Sequence, residues 1–276
     1  LKQLLRGINT MAEEKTETKI ATKKETAVAT FDDTLLAGGT GLEETTTEDF
    51  AIPFVRVLQA MSPQVNKQDG QYVTGAEPGA LYNTVTNELY DGNKGIRIVP
   101  CAYVKKFIEW IPREKGGGLV DASHDATIIK SCKRDEETRR FYLPDSGNEI
   151  VETAQFFVLV LTPEPQQAVL AFTSTQLGVS RKWLTMLRMA RVQTSKGESV
   201  AAPMFAYTYR LTTTSQSNEK GSWNGYSVNQ ETPTELSIAK LAKEFMSAAR
   251  SGDVQVKEEQ QRDKAAEVKP EGDAPF

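Results

Sequence analysis

The chain has 276 residues, 39% hydrophobic and 25% charged, an ordinary globular balance that permits one large domain or two small ones. Its longest apolar run, Phe156 to Leu161, is far short of the roughly 20 residues that span a bilayer. One histidine, His124, and two cysteines, Cys101 and Cys132, are too few for a four-ligand zinc site, so neither a metal nor a cofactor is expected.

The net charge of −4 argues at first against a polyanion binder, but the charge is unevenly spread. Residues 1–49 carry 6 basic and 10 acidic side chains, and residues 251–276 carry 4 and 7. Residues 50–250 therefore hold 23 basic and 20 acidic side chains, a mildly basic body between two acidic arms. No signal peptide opens the chain, which predicts a cytoplasmic protein, in the host cell if phage-encoded. Two isolated cysteines in that compartment read as buried small hydrophobes rather than a disulfide.

In chain order, residues 1–49 are rich in Thr, Glu, Lys and Ala with almost no aromatics, and are predicted to be a disordered arm. Met11-Ala-Glu-Glu-Lys reads as a true start, so residues 1–10 are not expected to be native. The folded body begins near Phe50. Ile52–Gln59, Ala80–Val85 and Gly95–Val104 read as extended segments between the turn signals Asp69-Gly70, Pro78-Gly79 and Asp91-Gly92, and Lys105–Ile111 continues the last of them. Gly116-Gly117-Gly118 reads as a flexible loop. Ala126–Lys133 and Arg139–Leu143 suggest a hairpin around a charged turn. Glu152–Leu161 is the strongest strand, and Ala168–Ser174 returns beside it.

Thr175–Val192 is predicted helical. Leu177, Trp183, Leu184, Leu187 and Met189 supply its apolar contacts, while Arg181, Lys182, Arg188 and Arg191 are basic. Met204–Thr214 and Ser222–Asn229 read as two more strands. Thr234–Arg250 reads as a packed amphipathic helix capped by Thr232 or Thr234, with Leu236, Leu241, Phe245 and Met246 facing inward. The expected fold is mainly β, an OB-like β-barrel over residues 50–230 with one or two helices, followed by a helix at 231–250 and a disordered acidic tail at 251–276. A β-sandwich fits the same pattern, because periodicity does not decide closure. Whether residues 60–150 hold a separate subdomain stays open.

Aromatic residues interleave with bases in a way that suits single-stranded DNA, which needs flat platforms for bases and cations for phosphates. From Tyr103 to Arg113, alternation places Tyr103, Lys105, Phe107 and Glu109 on one strand face and Val104, Lys106, Ile108 and Trp110 on the other. The candidate platforms are Tyr103, Phe107, Trp110, Tyr207, Tyr209, Trp223 and Tyr226. The candidate phosphate contacts are Lys105, Lys106, Arg113, Lys115, Arg181, Lys182, Arg188 and Arg210. On every strand one face must pack inward, so many of these aromatics are candidates for the core as well. Ser123-His124-Asp125 invites a triad, but adjacent residues do not normally point at one another, and no nucleophile elbow or phosphate-binding glycine loop is present. The chain is therefore not expected to be an enzyme.

The C-terminal peptide Glu271-Gly272-Asp273-Ala274-Pro275-Phe276 places carboxylates beside a compact apolar anchor. This tip resembles that of bacterial and phage single-stranded DNA-binding proteins, with Glu271, Asp273, Pro275 and Phe276 matching the pattern. The body resembles phage proteins described as single-stranded DNA-binding, through Ile52–Gln59, Pro78-Gly79, Trp110–Gly118 and Ser174–Trp183. The resemblance implies a protein that coats single strands without sequence preference during replication, recombination and repair. Its tail would recruit a DNA polymerase, helicase or recombination protein, the body could form a homo-oligomer, and no membrane partner is implied. The rival readings are a strand-annealing recombination protein and a phage structural or host-interaction protein without DNA activity.

Overall fold

The computed structural model describes residues 39–45, 52–162, 164–219, 221–252, 254 and 256. The chain divides into two compact units, residues 1–44 and 45–276. In the first, the Glu43 carboxylate accepts from the backbone N–H groups of Thr40 at 2.6 Å and Gly41 at 3.1 Å, and backbone hydrogen bonds hold its pKa below the usual value. Apart from residues 39–45, 251, 252, 254 and 256, the N-terminal arm (1–49) and the acidic tail (251–276) expected from the sequence lie outside the described residues.

The second unit is mainly β, as expected, and its central feature is a curled antiparallel sheet, a half barrel. In chain order its strands are β1 (Val55–Val57), β2 (Leu81–Asn83), β3 (Leu89–Tyr90), β4 (Ile96–Ile111), β5 (Gly118–His124), β6 (Lys133–Arg134), β7 (Phe141–Tyr142), β8 (Glu149–Val160) and β9 (Gln166–Thr173). Helix α1 (Leu177–Met189) follows, then β10 (Arg191–Gln193), β11 (Ser199–Ala201), β12 (Tyr207–Asn218), β13 (Gly221–Pro233) and helix α2 (Leu236–Ser251). The main sheet runs β13-β12-β4-β8-β7-β6, with β9 also paired to β8 and β5 to the far end of β4. The 16-residue β4 is the spine, because three partners share its length.

The two faces of β8 explain its composition. Ala154, Phe156, Val158 and Val160 enter one apolar cluster, and Phe157 and Leu159 enter a second on the other face. A strand buried on both sides reads as a continuous apolar run instead of alternating. Helix α1 fills the concave side. Its Trp183 is 1% exposed and stacks on Phe156 with ring centroids 4.2 Å apart. Phe172, Tyr209 and Tyr226 extend this aromatic group, each pair adding about 0.5–1.5 kcal/mol beyond area burial.

Helix α2 covers the convex side through Ile238, Ala242, Phe245, Met246 and Ala249, at helical spacing over Phe157 and Val99. Its inward face differs from the expected one. Leu236 is 73% exposed and Leu241 45%, and Glu235, rather than Thr232 or Thr234, is the N-cap. On α1, Met189 likewise points out, at 73% exposure. Amphipathic periodicity tolerates a one-residue rotation of the face, and the surface beneath the helix settles it.

A β-bulge at Pro100–Ala102 shifts the register of β4 against β8. Before it, Ile96 and Ile98 face the concave cluster, while Val99 and Cys101 face the convex one. After it, Tyr103 is on the concave side, with Ala102 and Val104 on the convex side. The extra residue reverses parity along a strand that alternation would have kept in phase.

The half barrel stops short of a closed ladder. A single parallel bridge, Phe54 to Val169, joins the small β1-β2-β3 sheet to β9. Between β1 and β13 the seam is crossed by side chains. The Gln59 amide copies a strand residue, accepting from Asn224 N at 2.9 Å and donating to Asn224 O at 2.8 Å. Gln176, the N-cap residue of α1, accepts from Tyr226 N at 2.9 Å, and the Tyr226 hydroxyl donates to Val55 O at 2.7 Å. Elsewhere the turn before β4 is pressed against β12. A Cβ on Gly92 would lie 1.9 Å from Gly79 O, and one on Gly95 (φ +66°) 2.2 Å from Leu211 O, so only glycine fits.

The segments at 113–142 depart most from the expected hairpin. The glycine triplet has positive φ throughout, at +102°, +68° and +131°, but Gly118 opens strand β5. Residues 126–131 form a 3-10 turn, and only β6 and β7 pair as a short hairpin.

Candidate nucleic-acid interface

The aromatic candidates divide by burial. Tyr209 is 0% exposed, and Phe107, Trp110 and Tyr226 are each 6% exposed. These four are buried, Tyr209 and Tyr226 in the cluster that α1 enters and Phe107 and Trp110 within the sheet, so they are core rings rather than exposed stacking platforms. Burial pushes the Tyr209 hydroxyl up to about 12, and that hydroxyl is buried without a hydrogen-bond partner among the described residues. Trp223 and Tyr207 are half-buried. Trp223 donates through Nε1 to Gln216 Oε1 at 3.1 Å on the β12–β13 hairpin, and the Tyr207 hydroxyl donates to Arg191 O at 2.7 Å.

Tyr103 is different. Its ring centroid lies 5.0 Å from that of Phe156, so it continues the concave aromatic core, yet it is only half-buried and reaches the rim. Burial pushes its hydroxyl pKa up, the positive charges of Lys105 and Arg181 pull it down, and Glu152 pushes it up. These four groups therefore share one neighbourhood. β4 supplies Tyr103 and Lys105, β8 supplies Glu152, and α1 supplies Arg181. Lys105 pairs with Glu152 at 2.9 Å, with side chains 47% and 28% exposed. A pair this accessible is worth about 0–1 kcal/mol, so a competing phosphate could displace Glu152 at little cost. Arg181, Lys182 and Arg188 are all exposed on α1, opposite the buried Trp183 and Leu187.

The other cations stand apart. Lys106 is half-buried and alternates onto the opposite face from Lys105. Arg210 donates through Nε to Glu231 Oε1 at 2.7 Å, and Arg97 meets the other oxygen of that carboxylate at 3.3 Å. Arg210 pairs in register with Arg97 near the start of β4, roughly 25 Å along the strand from Lys105 by strand rise. Because of the bulge, Arg97 and Arg210 also face the convex side. Lys115 donates to Ser146 O at 3.1 Å beyond the other end of β4. The Arg113 side chain and the tail residues Glu271, Asp273, Pro275 and Phe276 lie outside the described residues.

Ser123, His124 and Asp125 take three separate partners. Ser123 donates to Asp121 at 2.7 Å, and Asp125 accepts from Thr127 N at 2.7 Å to cap the 3-10 turn. His124 Nε2 lies 2.8 Å from Glu109 Oε2, and Asn148 Nδ2 donates to the other Glu109 oxygen at 2.6 Å. Glu109 is 7% exposed, so this group satisfies a buried carboxylate and ties β4 to β5 and to the turn before β8. Cys101 is a buried free thiol in the convex cluster, pushed up to about 12 by burial, while Cys132 is free and half-buried. Sequence reasoning missed Glu109, whose signal was a carboxylate placed among apolar strand residues.

A family model described as Pam3 phage gp34-like protein matches residues 22–255 of the chain. No curated protein and no solved structure matches it.

Proposed function

We propose that this chain, which belongs to the Pam3 phage gp34-like family, is a phage single-stranded DNA-binding protein whose strand crosses the rim of the half barrel at Tyr103, Lys105 and Arg181. The observation that carries the reading is the convergence of a half-exposed aromatic with two cations from separate elements. Tyr103 offers a half-buried ring continuous with the aromatic core, so a base stacking on it meets a preorganised surface. Lys105 and Arg181 sit where the flanking phosphates would lie, and Lys182 and Arg188 continue the positive charge along α1. A strand held by one or two stacked bases and a track of cations is bound without sequence preference. The acidic segment that carries Glu271, Asp273, Pro275 and Phe276 would recruit a replication or recombination protein.

Titration of fluorescent oligo-dT with the protein, against duplex of equal length at low and high salt, tests the reading. Single-strand binding that weakens with salt is expected. Lys105→Glu and Arg181→Glu should each weaken it and reduce the salt slope by about 0.7, the single-strand value per phosphate contact. Equal binding by the wild type and both charge reversals would refute this path, and no binding at low salt would refute the function.

A further inference from the structure

The edge of the main sheet carries a second pairing of aromatic ring and cation. Strands β6 and β7 form its last hairpin, and β7 lies against β8. Over residues 133–142 the hairpin holds Lys133, Arg134, Arg139 and Arg140 beside Asp135, Glu136 and Glu137. The acids sit at its turn, where Asp135 accepts from Thr138 N at 2.6 Å and from the Thr138 hydroxyl at 2.7 Å.

Register decides which face each side chain takes. Residues directly opposite in an antiparallel ladder share a face, and faces alternate along each strand. Tyr103 stands opposite Phe156, Lys105 opposite Ala154 and Phe141 opposite Ile150. These three positions of β8 have the same parity, and no register shift separates them. Phe141 is therefore on the face that carries Tyr103 and Lys105. Arg134 stands opposite Phe141 and shares that face. Lys133, Tyr142 and Glu149 take the other face, where Arg140 meets Glu149 at 3.4 Å.

Phe141 is half-buried, as Tyr103 is, and Arg134 is exposed. The Arg134 guanidinium carbon lies 5.7 Å from the Phe141 ring centroid, inside the roughly 6 Å reach of a cation–π contact. A guanidinium beside a ring serves a nucleic acid twice: its plane extends the stacking surface, and its N–H groups meet phosphate oxygens. From Phe156 to Ile150 along β8, and across two strand spacings, Tyr103 and Phe141 are roughly 22 Å apart. At about 3.4 Å per nucleotide of a stacked strand that is about six nucleotides, within the roughly 4–16 that one OB fold covers.

We propose that the β6–β7 hairpin is a second contact for the single strand, with a base stacked at Phe141 and a phosphate held by Arg134. The strand leaves the rim at Tyr103 and Lys105 and crosses β8 towards the sheet edge. This rests on the single-stranded DNA reading and gives its path a direction across the sheet.

The test titrates fluorescent oligo-dT with wild type, Arg134→Glu, Phe141→Leu and Lys133→Glu, and a thermal melt confirms that each folds. Phe141→Met replaces Phe141→Leu if the latter does not fold. Arg134→Glu should weaken binding about tenfold and lower the salt slope by about 0.7. Phe141→Leu keeps an apolar side chain but removes the ring, and should weaken binding about tenfold with the slope unchanged. Lys133→Glu makes the same charge change on the opposite face of the same hairpin, and should cost no more than about threefold through the long-range field. Wild-type affinity in folded Arg134→Glu and Phe141→Leu, with Lys105→Glu and Arg181→Glu weakened, overturns the hairpin contact and leaves the rim intact. A loss in Arg134→Glu alone overturns the base platform at Phe141. Equal losses from Lys133→Glu and Arg134→Glu overturn the contact in favour of diffuse charge. No binding by the wild type at low salt overturns both the hairpin contact and the reading it rests on.

Discussion

Substituting Gly225 by alanine isolates how the barrel seam is held. Glycine in a strand interior is ordinarily a weakness, and alanine gains about 0.4–1 kcal/mol through the unfolded chain. Here the added Cβ would stand 2.2 Å from Gln176 Nε2, 2.9 Å from Cδ and 3.0 Å from Oε1, so the amide must leave. Its departure removes the acceptor of Tyr226 N, a hydrogen bond of 2.9 Å beside a residue 6% exposed. An unsatisfied buried donor costs about 1–3 kcal/mol, so the net loss is expected at about 1–2 kcal/mol after the entropic gain. Urea unfolding of wild type, Gly225→Ala, Gln176→Ala and the double variant gives the coupling. In the Gln176→Ala background the Gly225→Ala change should be neutral or stabilising, because the obstruction is gone. Equal costs of Gly225→Ala in both backgrounds would show that the two residues do not meet across the seam.

Trp183→Ala should cost about 3–5 kcal/mol in the same assay, since the ring is 1% exposed and contacts Phe156, Phe172 and Tyr209; a loss below about 1 kcal/mol would contradict α1 as the plug of the concave side. Tyr209→Phe should be neutral or stabilising, because the hydroxyl removed is buried without a partner among the described residues. The alkaline limb follows from the same burial. Tyr209 ionises near 10 when unfolded and about 12 when folded, so its contribution is complete below pH 10 and is lost as pH rises towards 12. Unfolding midpoints between pH 8 and 11 should therefore fall less steeply in Tyr209→Phe than in wild type, and parallel curves would count against that burial. With a thiol reagent at pH 8, Cys132 should react and Cys101 should wait for unfolding, because burial raises the Cys101 thiol to about 12; simultaneous labelling of both would refute the packing under α2.

Much of the fold was legible because local patterning carries it. The run from Phe156 to Leu161 announces a strong strand, and β8 is that strand, buried on both faces. Both helices lie within a few residues of where 3.6-residue periodicity puts them. Alternation from Tyr103 to Phe107 is also kept, so Tyr103 and Lys105 share a face as the sequence implies. The charge asymmetry between arms and body is a property of the sequence alone.

Other features required the tertiary structure. Alternation assigns residues to two faces but does not say which is covered, so Tyr209 and Tyr226 read as equal candidates to Tyr103 until α1 is seen to bury them. A single-residue bulge at Pro100–Ala102 reverses parity and sends Arg97 and Arg210 to the face opposite Lys105, a change that composition does not register. The approach of Arg181 to Tyr103 joins residues 78 positions apart in sequence. The seam depends on contacts still longer in range: Gln59 meets Asn224, 165 residues away, and Gln176 meets Tyr226, 50 residues away. Sequence periodicity reports the local environment of a backbone, whereas a site assembled across a barrel edge exists only once the distant edges have been brought together.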